Sequence, residues 1–254
     1  MLATARLFRH EAVRATHSRR WLVAVLVCCA VAFLAADHVA AEMRNAGASA
    51  TAWDVHATAV NSLMYVGYLL FTTFAFVVGD TLVSDCESGY GWMVLGRTQS
   101  RVKWWTGKIA SLVLAALALQ LMLLGTCLLA GHIRGGLPLS VEASELAVMS
   151  FDRHGMVLFP EVPTGTSMLL RQTLRAGYLA LAFSALACAL VALTIPVRKG
   201  WLPMTIALIG LMADYVLIRA WEPWHYASPG ARLLEGSHAG WSAGAPLAWS
   251  SSVL

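Results

Sequence analysis

Charge is scarce in this chain. Asp, Glu, Lys and Arg supply 13% of its 254 residues, against roughly 25% in an ordinary soluble domain. Hydrophobic residues make up 58% and the mean hydropathy is +0.65. So little charge cannot cover a water-facing surface, and the expected class is an all-α polytopic membrane protein. Signatures of catalysis are missing too. There is no HExxH pair for zinc and no GxSxG nucleophile elbow. A P-loop is also absent: Gly107-Lys108-Ile109 lacks both the earlier glycine and the hydroxyl of GxxxxGK[ST]. The chain is therefore expected to hydrolyse no ATP of its own, and to hold neither a metal nor a cofactor.

Cysteine is sparse and badly placed for cross-linking. Cys28, Cys29, Cys127 and Cys188 fall in apolar runs and Cys86 in a polar loop, with no metal-type CxxC, so no disulfide framework is implied. The net charge of +4 would suit nucleic acid, but the bases cluster beside apolar runs, where membrane topology accounts for them. No nucleic-acid partner is expected.

What is present is a series of long apolar runs. Spans are expected at about 21–36, 59–78, 109–130, 174–195 and 202–218, with the start of a sixth at 246–254. Residues 1–20 interleave Arg6, Arg9, Arg14, Arg19 and Arg20 with Leu2, Leu7, Phe8 and Val13. They read as an amphipathic elbow helix on the membrane surface rather than a signal peptide, because no small-x-small cleavage site follows. One side of the membrane then holds 79–108 and the turn 196–200, and the other holds 37–58, 131–173 and 219–245. Eleven of the 18 bases lie on the side of the amino terminus. The positive-inside rule places that side in the cytosol.

Residues 79–108 are the most informative stretch. Asp80, Asp85 and Glu87 come first with Gly89 and Gly91. An apolar face of Tyr90, Trp92, Met93 and Leu95 follows, and Arg97, Arg101, Lys103 and Lys108 close the loop. That order fits a short amphipathic helix lying along the cytosolic membrane surface, then a basic return into the third span with Lys108 snorkelling.

The order after the second span resembles that of the permease subunits of ABC-2 type transporters. It runs Asp80, Asp85, Glu87, Ser88-Gly89, an apolar turn, Arg97, Ser100-Arg101 and Gly107-Lys108. The amino-terminal basic elbow, the succession of spans and Ser228-Pro229 are similar as well. The family usually has six spans, and here the sixth is only begun. The resemblance implies a subunit of an exporter in a bacterial inner membrane, multi-pass with its amino terminus in the cytosol. It would form half of the translocation pathway beside a second permease chain, identical or related. Two copies of a cytosolic ATPase would bind the ATP and Mg. The coupling residues it implies are Asp80, Asp85, Glu87, Gly89, Trp92, Met93, Arg97, Arg101 and Lys108.

Asp214 is the one acid well inside an expected span, and a charge at that depth marks a functional site by default. Arg171 and Arg175 are its candidate partners across the bundle, and a structural hydrogen bond to Tyr178 or Thr205 is the alternative. The histidines outside the cytosol, His38, His56, His132, His154, His225 and His238, show no i, i+3 or i, i+4 pair and read as scattered surface residues rather than metal ligands. Two other functions fit the same composition. One is a membrane scaffold or immunity-type subunit that docks an ATPase without a full pathway, which the short sixth run would suit. The other is an intramembrane enzyme whose site the motifs do not reveal.

Overall fold

The computed structural model describes residues 13, 18–62, 64–79, 100–142, 144–148, 167–194 and 202–220. Every regular element among them is a helix. Helix α1, Trp21–Ala46, is 26 residues long, about 39 Å at 1.5 Å per residue. Its Leu, Val and Ala run is good helix-forming sequence. The helix stops at Gly47, which adopts a left-handed φ of 64° and donates its N–H to the Met43 carbonyl at 2.9 Å. Residues from Asp37 to Ala46, expected to open an outer loop, therefore finish this helix. Asp37 and His38 are exposed on it, and Asp37 pairs with Arg134 at 2.5 Å.

Residues 52–78 return through the bundle antiparallel to α1, in two pieces. The first is α2, Ala52–Asn61. Its start is fixed by Asp54, whose Oδ2 accepts the Thr51 N–H at 2.6 Å and the Thr51 hydroxyl at 3.1 Å, as an acid at the third helical position does. Ser62, with φ −88° and ψ 117°, ends α2 in extended backbone. A π-helical segment, Met64–Phe71, then runs directly into α3, Thr72–Val78. At the far end Arg20 donates to the Phe76 carbonyl at 2.9 Å and lies over the Phe76 ring. The expected span of 59–78 and the expected polar segment of 37–58 thus divide differently: within 47–78 only 47–51 and the joint at Ser62 are described as non-helical.

Helix α4, Arg101–Gly135, is the longest at 35 residues. Ser100 caps it by accepting the Lys103 N–H at 3.4 Å, and Gly136 at φ 60° closes it. It packs on α1 and α2. A Cβ on Gly131 would lie 3.1 Å from the Ala52 Cα and 3.1 Å from Val55 Cγ2, so a glycine is what lets α2 approach so closely. The short α5, Glu145–Val148, precedes α6, Met168–Thr194, which also packs on α4. Helix α7, Leu202–Ala220, packs on α3, α6 and the π-helical segment.

Among the described residues, three helical stretches are long and apolar enough to cross a membrane: α1, α4 and Met168–Leu190 within α6. Their outward faces carry Leu22, Leu26, Leu121, Leu129 and Leu181, all more than half exposed. A water-soluble protein does not present such a surface over several helices, and the chain is a membrane protein. Within the bundle the packed faces are mostly small, with Ala24, Ala32, Ala35, Ala115 and Ala116 buried. Small residues let helices approach where lipid offers no hydrophobic drive to associate.

Several expectations fall outside the described residues. These are the elbow helix apart from Val13 and residues 18–20, the run at 246–254, and Asp80, Asp85, Glu87, Gly89, Trp92, Met93 and Arg97 of the coupling loop.

Candidate functional site

All ten residues of α2 are buried, although Asp54, His56, Thr58 and Asn61 are polar. Polar groups in an apolar bundle are costly unless they are hydrogen-bonded, and α6 supplies two of the partners. His56 Nδ1 meets Gln172 Oε1 at 2.9 Å. With a carbonyl oxygen as the acceptor, Nδ1 carries the proton and Nε2 presents its lone pair. One turn further along both helices, the Arg175 guanidinium donates to Asn61 Oδ1. Asn61 is the last residue of α2, where the helix dipole favours a cation. The two contacts advance together, from 56 with 172 to 61 with 175, so α2 and α6 run parallel and are joined by a polar seam.

The same end of the bundle is covered by residues 136–148. Ser144 donates its hydroxyl to Asp54 Oδ2 at 2.7 Å. Glu145 Oε2 accepts the Ser49 N–H at 2.8 Å and the Ser49 hydroxyl at 2.9 Å. These two bonds hold the exposed Glu145 carboxyl below its ordinary pKa. Backbone bonds add Ala52 N–H to the Pro138 carbonyl, Leu146 N–H to Ser49 and Met168 N–H to Val141, each at 3.0 Å. Together they make a strap that ties the connection between α4 and α6 to the start of α2. Among the described residues, four buried polar atoms of α2 have no hydrogen-bond partner: Trp53 Nε1, Asp54 Oδ1, His56 Nε2 and Thr58 Oγ1. This concentration of polarity inside a membrane bundle is the candidate site.

Of the expected site residues, Arg101 is exposed in the first turn of α4. Lys108 is not at the surface: it lies two turns in, on the packed face, with its carbonyl accepting the Ser111 hydroxyl at 2.7 Å. Arg175 is likewise buried, while Arg171 is half-buried. Asp214 is buried on α7, one turn from Leu211, whose carbonyl accepts the Tyr68 hydroxyl at 3.0 Å. His56, expected as a surface histidine, has no exposed area, whereas His38 and His132 are exposed. Asn61 and Gln172 escaped notice because single amides within apolar runs carry no motif. Their signal is the cost of placing an amide in lipid without a partner. Among the described residues no three His, Cys, Asp or Glu side chains gather as a metal site would require.

No curated protein and no solved structure matches this chain. A family model, that of a protein of unknown function designated DUF2705, matches residues 21–159. The match runs from the first residue of α1 past α5 and so takes in α2 with the strap over it, leaving α6 outside. Spanning more than half of the 254 residues, it establishes that the chain belongs to the DUF2705 family.

Proposed function

We propose that this protein is the membrane subunit of an ATP-driven exporter, one half of a pathway whose cytosolic ATPase is a separate chain. Support comes chiefly from the ends that residues 80–99 connect. Helix α3 finishes beside Arg20, at the basic start of α1. Helix α4 lies parallel to α1, because Asp37 late in α1 pairs with Arg134 late in α4, so α4 also begins at the basic end. A loop carrying Asp85, Glu87, Trp92 and Arg97 thus leaves and returns on one face, the face that the positive-inside rule assigns to the cytosol.

The proposal extends to topology: 52–78 and 202–220 are the second and fifth spans, in a bacterial inner membrane. Trp92 and Met93 are the apolar anchors on the ATPase, and Asp80, Asp85, Glu87, Arg97 and Arg101 are rim charges that set register. Gly89 belongs to the same coupling set, and Lys108, buried in α4, completes it. A second copy or a related chain completes the pathway. Movement of the two ATPases on binding ATP and Mg would reach the bundle through α3 and α4. Asp214, Arg171 and Arg175 are the charges placed to meet cargo or each other within it.

Copurification tests the assignment. The tagged full chain is expected to bring down an ATPase and to stimulate its ATP hydrolysis in lipid vesicles. Charge reversal of Glu87 and Arg97 should leave the fold intact while uncoupling hydrolysis from transport. If no ATPase copurifies and hydrolysis is not stimulated, the exporter assignment fails.

A further inference from the structure

The two pieces of 52–78 both pack on α1, α4 and α6, but the hydrogen bonds described above tie them to different elements. Helix α2 is bonded to α6 through His56 with Gln172 and Asn61 with Arg175. It is bonded to the strap through Asp54 with Ser144 and through the Ala52 N–H with Pro138, and it lies hard against α4 at Gly131. The π-helical segment is bonded instead to α7, by the Tyr68 hydroxyl on the Leu211 carbonyl. Helix α3 is bonded to the residue before α1, by Arg20 on Phe76. Toward α6 this second piece offers ring contacts, Phe71 and Phe74 against Phe183 with centroids 5.5 and 5.8 Å apart. Rings can slide past one another where a guanidinium on an amide cannot.

Between the pieces Ser62 has extended backbone, which interrupts the helical hydrogen-bond ladder; its carbonyl accepts the Val66 N–H at 2.9 Å and its hydroxyl the Tyr65 N–H at 3.5 Å, so it caps the π-helical segment that follows. A π-helical stretch takes more residues per turn than an α-helix, its bonds closing from i to i+5. Its conversion to α form would lengthen the segment and so turn and displace everything beyond it relative to α2.

We propose that Ser62 is a hinge. Residues 64–78 move together with α7 as one body, and α2 stays with α6, α4 and the strap as the other. The inference deepens the exporter proposal in one respect and rests on it there: a push delivered through residues 80–99 would move the π-helical segment, α3 and α7, leaving the seam at His56 and Arg175 still. A hinge of this kind takes up its change in a few backbone torsions at the end of an element.

Amide hydrogen exchange on the purified full chain in lipid nanodiscs, with no ATPase present, tests the hinge separately from the exporter assignment. Tyr68→Phe removes the bond to α7 with little change of shape, and Gln172→Ala removes a bond of α2. With a hinge, Tyr68→Phe speeds exchange several-fold across 64–78 and 205–214 and leaves 52–61 unchanged, and Gln172→Ala does the reverse. If either substitution accelerates both pieces to the same extent, 52–78 is one rod and the proposal is overturned. If Tyr68→Phe changes neither piece, the second body is not held by α7 and the proposal is overturned as well. Arg20→Gln provides the same reading from the other bond of the second body, should Tyr68→Phe fail to fold. A hinge confirmed in a chain that recruits no ATPase would leave the hinge standing and remove the exporter.

Discussion

Helix α2 and the helical stretch after it follow one another in sequence, yet they are held by different physics. In α2 polar side chains face inward and are fixed by hydrogen bonds: His56 to Gln172, Asn61 to Arg175 and Asp54 to Ser144. In 64–78 the interior is mainly apolar, with Val66, Leu70, Phe71, Phe74, Val77 and Val78 buried. Hydrogen bonds fix angles and registers, while dispersion between rings and methyl groups fixes only distance. One piece is therefore specified in orientation and the other chiefly in packing.

The contrast can be broken most strongly on its apolar side. Phe183→Ala removes the ring against which Phe71 and Phe74 lie, and a large-to-small change at so buried a position costs about 3–5 kcal/mol. Equilibrium unfolding in mixed micelles should register the loss, and Trp53 on α2 should keep its native fluorescence until the main transition. Next comes the polar side. Asn61→Leu takes the acceptor from a buried guanidinium, which costs on the order of 1.5–3 kcal/mol. The same unfolding measurement should improve again in the double change Asn61→Leu with Arg175→Met, where the buried charge is gone.

A smaller effect sharpens the boundary between the pieces. Gly131→Val would press its side chain on Ala52 and Val55, and overpacking of this kind costs about 1–3 kcal/mol. The start of α2 should loosen in hydrogen exchange while 64–78 does not. The smallest effect concerns the strap. Glu145 has a folded pKa below its ordinary value because its ionised form accepts two bonds from Ser49. Its contribution is therefore present above the unfolded carboxyl pKa, near 4.5, and is lost as pH falls through the lower folded value. Protection of the amides at 49–52, taken relative to their intrinsic exchange rate at each pH, should fall in acid in the native protein, and in Glu145→Gln it should no longer change over that range.

Much of the architecture was legible in the sequence. Apolar runs announced α1, α4, α6 and α7, because only a helix satisfies its own backbone across so many apolar residues. Their ends were read less well. Asp37, Glu42 and Arg44 look like the start of a loop, but a helix can continue past the lipid once its backbone is committed, until a residue such as Gly47 turns it. The site was the least legible part. Trp53, Val55, Ala57 and Val60 alternate with Asp54, His56, Thr58 and Asn61, which resembles an outer polar segment until the partners on α6 are known. Those partners lie more than a hundred residues away, and no local pattern can express such a pairing. Arg175 drew notice as a charge near a span, but its acceptor, a lone Asn, did not.

The ion pair between Asp37 and Arg134 sets two parallel helices in register, and counting back from it compares how far each extends. From Asp37 to the start of α1 at Trp21 is about 24 Å, and from Arg134 to the start of α4 at Arg101 is about 50 Å, at 1.5 Å per residue. Helix α4 therefore juts roughly 25 Å beyond α1 toward the basic end, as a spur with Val102, Trp105 and Ile109 on its open side. Among the described residues, α4 is therefore the element that reaches further than α1 toward the basic end.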